Sequence, residues 1–217
     1  MAGGKNKTLK GSTMLRKIAL FCVCAGIWAG SAVADEAGTL QIRGFNIEYG
    51  QVGLEKLQKM QSTLEHQIDI VEQSGVPAAT LEFFRGIPVV MVKHLDTGFG
   101  HANMLDGRQV VELVAAKLPA DRPILLHELL HAYHGQKLGP TPIIRDSYQQ
   151  ALQRGFYKQY AKAHFLENPH EFFAVIGSIF LYGRKIDQPP FDCKLPARYQ
   201  PQFIAFLTEQ FGPHPCK

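Results

Sequence analysis

Two histidines four residues apart, with a glutamate between them, give this chain its clearest chemical capacity: His127-Glu128-Leu129-Leu130-His131. In a helix, a step of four residues turns through about 400° and rises about 6 Å, so the two imidazoles stand one above the other and can reach a single zinc ion. Glu128 then lies beside the metal, where its carboxylate can take a proton from a metal-activated water and return it to a leaving amine. The chemistry encoded is metal-assisted hydrolysis. From the histidine and glutamate content of the chain, such a pattern is expected by accident roughly 0.02 times.

The residues around the motif decide between this reading and an amphipathic helix with surface histidines. Ile124, Leu125, Leu126, Leu129, Leu130 and Ala132 leave little polar surface, so the helix is expected to be mostly buried. Two imidazoles and a carboxylate inside it need partners, and a metal supplies one. Asp121 is the expected N-cap, Pro123 a first-turn residue, and Gly135 or Gly139 the stop, giving a helix of about four turns.

A catalytic zinc takes three protein ligands and keeps one position open. His134 follows His127 by seven residues, about 10 Å along the axis, too far to share a metal with it; a place behind the ligands, at the helix end or on the surface remains. Residue 137, where the metzincin pattern requires a histidine, is Lys137. The leading third ligand is Glu171, in Asn168-Pro169-His170-Glu171-Phe172-Phe173-Ala174, with Glu167 as the fallback. Asn168, Pro169 and Glu171 also spell a helix-capping box. Small Ala174 and Ser178 share a helix face with Glu171, as close approach to the motif helix would require.

On H-E-L-L-H at 127–131 and N-P-H-E-F-F-A at 168–174, the chain resembles the gluzincin metallopeptidases, in the branch of the anthrax lethal factor catalytic domain and the Mlc titration factor proteins. The pattern Pro196, Tyr199, Phe203, Phe206, Leu207 and Phe211 is similar to the closing helix of those domains, and the likeness spans roughly residues 80–212. The resemblance implies a zincin fold, Zn2+ held by His127, His131 and Glu171, and Glu128 as general base. It also implies a tyrosine that stabilises the oxyanion, a role for which Tyr160 or Tyr157 is the candidate. At the position where lethal factor carries that tyrosine, this chain has His164. Where some relatives carry an acid four residues after the ligand, it has Val175.

These residues need elements to position them. An extended start around Leu40–Ile47 precedes a helical pattern of Val52, Leu54, Leu57, Met60, Leu64, Ile68 and Val71 over 51–73. Pro88–Val92 and Gln109–Val114 read as strands separated by a Gly-rich turn region from Asp96 to Gly107. Residues 100–114 hold a candidate sheet edge able to pair with a peptide. Thereafter the chain reads as helical. The expected fold class is α+β, an N-terminal α+β lobe to about residue 138 followed by a helical lobe over 139–217, within a single domain of 35–217.

Residues 1–34 read as a secretory signal peptide: Lys5, Lys7, Lys10, Arg16 and Lys17 precede an apolar run that ends Ala32-Val33-Ala34. Met14 is an alternative start. Removing the segment takes 5 of 23 basic residues and none of 19 acidic ones, turning the formal charge from +4 to −1. That charge gives no reason to expect nucleic-acid binding, and cleavage leaves no stable membrane anchor. Cys22 and Cys24 leave with the signal, so Cys193 and Cys216 are expected to form a disulfide in an oxidising compartment. Its loop of about 22 residues is worth about 3 kcal/mol. The expected protein is a periplasmic or secreted zinc metallopeptidase acting on peptides or proteins. A non-catalytic zincin-fold binding or regulatory protein and a zinc amidase acting on cell-wall peptides are the alternatives.

Overall fold

The computed structural model describes residues 38–96 and 98–214; the expected signal segment and Cys216 lie outside them. Arg43 and Gly44 hold left-handed backbone, φ 48° and 86°, and turn the extended start into a hairpin. Its strands, β1 (Thr39–Ile42) and β2 (Phe45–Glu48), pair antiparallel. Helix α1 (Leu54–Gln73) buries Leu57, Met60, Leu64, Ile68 and Val71, the predicted stripe, whereas Leu54 stays exposed at its first turn. Helix α2 (Ala78–Arg85) was not foreseen. At eight residues, with only Thr80 and Phe84 buried, it is too short for a periodic stripe to show.

Strand β3 (Val89–Val92) is buried at every position and pairs in parallel with β2 on one side and β5 (Arg108–Val114) on the other. Such a strand, covered on both faces, reads as a continuous apolar run. Half of the stretch expected to be a Gly-rich turn is instead strand β4 (Gly100–Leu105), antiparallel to β5. The reversal is confined to Asp106 and Gly107, both at positive φ (50° and 76°), the geometry of a tight two-residue hairpin. The sheet order is β1-β2-β3-β5-β4, which leaves β4 at the edge.

Helix α3 (Ile124–Tyr133) carries the H-E-x-x-H motif and continues as a π-helical turn over His134–Leu138, ending at Gly139 with φ 57°. Asp121 is not its cap. Pro123 occupies the N-cap position without a side-chain bond, and the orphan N–H of Leu125 donates 3.1 Å to Gln67 Oε1. The amide of Gln67, fully buried on α1, also donates 2.9 Å to the Arg122 carbonyl. The start of the motif helix is therefore fixed from 58 residues away in sequence.

The remaining elements are helical: α4 (Pro142–Gln153), short 3-10 turns over Lys158–Tyr160 and His164–Leu166, α5 (Pro169–Tyr182), α6 (Lys194–Tyr199) and α7 (Pro201–Phe211). Helix α5 is buried from Phe172 to Leu181. A Cβ on Gly177 would stand 3.2 Å from Leu130 Cδ1, so this glycine, with Ala174 and Ser178, lets α5 lie close against α3. Phe203, Leu207 and Phe211 of α7 close the same core. The architecture is thus mixed α+β, with all its described strands before α3 and helices after it. No helix among the described residues is long and apolar enough to cross a membrane.

Candidate metal centre

The close packing of α3 on α5 brings three donor atoms together. His127 Nε2 and His131 Nε2 are 3.0 Å apart, and Glu171 Oε2 lies 3.4 Å from the first and 3.3 Å from the second. Bonds of about 2 Å to a tetrahedral ion require donors about 3.3 Å apart. The two histidines come from the motif as its spacing predicts, and the glutamate from the start of a helix 40 residues further on.

Glu171 is held there by a cap that does not use its side chain. Asn168 Oδ1 accepts the N–H groups of His170 and Glu171, each at 2.9 Å, so the capping residue is Asn168 alone and the Glu171 carboxylate is free to reach α3. Burial pushes its carboxyl upward in pKa, but the imidazoles of His127, His131 and His164 outweigh it and hold the group well below the usual carboxylate range. Glu171 is an anion at any ordinary pH. Its Oε2 is nevertheless buried without a hydrogen bond of proper geometry, although three imidazole nitrogens lie within 3.4 Å. Donors converge on a shared point without bonding to this oxygen, the arrangement a divalent cation satisfies. Two imidazoles and a carboxylate are a fitting set for zinc.

Glu128, 7% exposed, points to the same place, with Oε1 4.0 Å from His127 Nε2. Directly over it lies Gly100, the first residue of β4: a Cβ there would stand 2.7 Å from Glu128 Cγ and 2.9 Å from its Oε1. These groups open into a cleft of about 690 Å³ whose walls include Gly98–Ala102 from the β4 side and His164, Glu167, Asn168, His170 and Gln188 from the helical side. Arg122 at its rim is locked to Asp187 by paired bonds of 2.6 and 2.8 Å.

The structure does not bring the other expected residues to the cleft. Tyr157 is 1% exposed, packs on Phe165 and Tyr199, and donates its hydroxyl to Gln200 Oε1 at 3.2 Å. Tyr160 lies against Phe191. Neither lines the cleft. Glu167, the fallback ligand, does not join the donor cluster; its Oε1 lies 3.1 Å from His164 Nδ1. His164, which sequence reasoning noted only as a departure from a tyrosine pattern, presents Nε2 to Glu171 Oε2 at 2.7 Å. Cys193 is buried, while its expected partner Cys216 lies outside the described residues.

His134 sits behind the site on the π-helical turn, 5% exposed, its ring packed between His170 and Phe173 of α5. Burial is the main cause that pushes its pKa down to about 4; His170 and His131 add to it, and a backbone hydrogen bond at Gly139 opposes it. The unfolded chain takes up this proton near pH 6.5, while the folded protein resists until about 4. Stability from this group is whole above pH 6.5 and falls as pH drops from 6.5 towards 4, by on the order of 3 kcal/mol. Urea unfolding of wild type and His134→Phe across that window, with chelator present, is expected to show a shallower loss in the variant.

No protein-family model, no characterised protein and no solved structure matches the chain significantly. The class defined by fold and site is therefore an α+β protein with a two-helix His/His/Glu cluster beneath a sheet edge.

Proposed function

We propose that the chain is an exported zinc metallopeptidase of the gluzincin type, with His127, His131 and Glu171 as metal ligands. The observation that carries this reading is the mutual spacing of their three donor atoms, 3.0 to 3.4 Å, with the Glu128 carboxylate beside them. Zinc there would supply Lewis acidity, activating a water and polarising a carbonyl. Glu128 takes the proton from the attacking water and delivers it to the departing amine as the C–N bond breaks. Burial of Glu128 in α3, with Gly100 directly over it, fixes its carboxylate beside the His127 imidazole.

The edge strand supports a peptide as the substrate class. Strand β4 has β5 on one side only, and its Gly100–Ala102 segment forms the cleft wall next to Glu128. An extended peptide laid along that free edge would pair main chain to main chain and present its carbonyls over the metal ligands. Localisation in the periplasm or outside the cell follows from the signal-like segment at 1–34.

The test is metal content together with cleavage of a broad peptide library that includes cell-wall fragments. About one zinc per chain and chelator-sensitive cleavage of linear peptides are expected. Cleavage confined to cell-wall fragments would identify an amidase; zinc with every peptide intact would identify a binding protein. A folded protein that takes up no zinc would end the metal reading.

A further inference from the structure

We propose that His164 is a fourth protein ligand of this centre, occupying the remaining coordination position until substrate arrives. The inference rests on the metal reading above and concerns a side chain outside the H-E-x-x-H and glutamate pattern. His127, His164 and Glu171 place one donor atom each within 4.8 Å of one another, and His164 Nε2 is the atom closest to Glu171 Oε2 among the three imidazoles, at 2.7 Å. That oxygen still lacks a hydrogen bond of proper geometry. At 2.7 Å the His164 nitrogen is closer to the carboxylate oxygen than the about 3.3 Å between two ligands of one tetrahedral ion, so the two are in ion-pair contact, and a small rotation of the half-exposed ring brings them to ligand spacing.

The other side of the ring carries the second sign. His164 Nδ1 lies 3.1 Å from Glu167 Oε1, so a carboxylate backs the imidazole while Nε2 faces the site. Metal-binding histidines characteristically give their second ring nitrogen to such a partner, which fixes the tautomer and strengthens the donor. The backbone beneath is anchored. Phe165 is fully buried, and the Tyr148 hydroxyl donates to the carbonyls of Leu166 at 3.2 Å and Glu167 at 3.3 Å. The His164 side chain is itself 52% exposed. An anchored turn with an exposed ring lets the imidazole swing out by side-chain rotation alone.

Four protein donors close a zinc site, whereas three leave it open to water. The resting centre is thus latent. It opens when His164 rotates away from the metal, and a peptide entering the cleft lined by His164 and Gly100–Ala102 would favour that state by filling the vacated space.

X-ray absorption of the zinc-loaded full chain tests this directly by counting imidazole ligands. Three are expected in wild type and two in His164→Ala, with the zinc dissociation constant raised at least about tenfold in the variant. Free imidazole added to His164→Ala should restore the third. His164→Phe, which keeps a ring at the position, should also show two and remain folded. Two imidazoles in wild type and variants alike would overturn the proposal and leave the three-ligand centre standing. A wild-type chain that binds no zinc would overturn the metal reading itself, a different result.

Discussion

Replacing Glu128 by glutamine is expected to lower peptide hydrolysis by about 10³-fold while leaving zinc bound. Glutamine has the same shape, so it fits the space beneath Gly100, where even one added carbon is refused at 2.7 Å. It cannot accept the proton that, in the proposed mechanism, the attacking water loses. The experiment also separates two roles that geometry brings close, because His127, Glu128 and His131 have donor atoms within 4.8 Å of one another, as do His127, His164 and Glu171. If Glu128 is the base, Glu128→Gln keeps its zinc and Glu171→Gln loses it. If Glu128 is a ligand, the two variants exchange these outcomes. Zinc content by atomic absorption, measured beside kcat/KM, decides between them, and full activity in Glu128→Gln would refute the proposed mechanism.

The part of the His/His/Glu cluster carried by one helix was legible in the sequence, because i and i+4 geometry is local and needs no knowledge of the fold. The approach of Glu171 to that helix was legible too, through a capping pattern and small residues at helical spacing, and the structure supplies what sequence could not: Asn168 makes the cap by itself and frees the glutamate. His164 was hidden because it lies on a three-residue turn with no periodicity, and its neighbours are set by the packing of α5 on α3. The tyrosines misled for the related reason that an aromatic residue near a site in sequence is as readily a core residue. Tyr157 is fully committed to Phe165, Tyr199 and Gln200. Asp121 failed as a cap because Gln67, on a different helix, satisfies the N–H of Leu125. Long-range satisfaction of a backbone donor leaves no local trace.

Strand β4 belongs with these failures and yields the second large effect. Glycines at 98, 100 and 107 made the segment read as a turn, yet Gly100 starts a strand, with no positive φ to require a glycine. Its reason is space. Gly100→Val supplies a residue well suited to an edge strand, so the fold and the proposed metal ligands should tolerate it. Its Cβ, however, would fall 2.7 Å from Cγ, 2.9 Å from Oε1 and 3.1 Å from Cδ of Glu128, contacts that force the carboxylate aside. A displacement on the order of 1 Å at a reacting group costs about 10²-fold in rate. The expected result is therefore zinc content and thermal unfolding near wild type, with hydrolysis down by about that factor. An unchanged rate would show that Glu128 does its work from another position. A fall in zinc content of the same size would mean that the edge strand, through Glu128, shapes the ligand set itself.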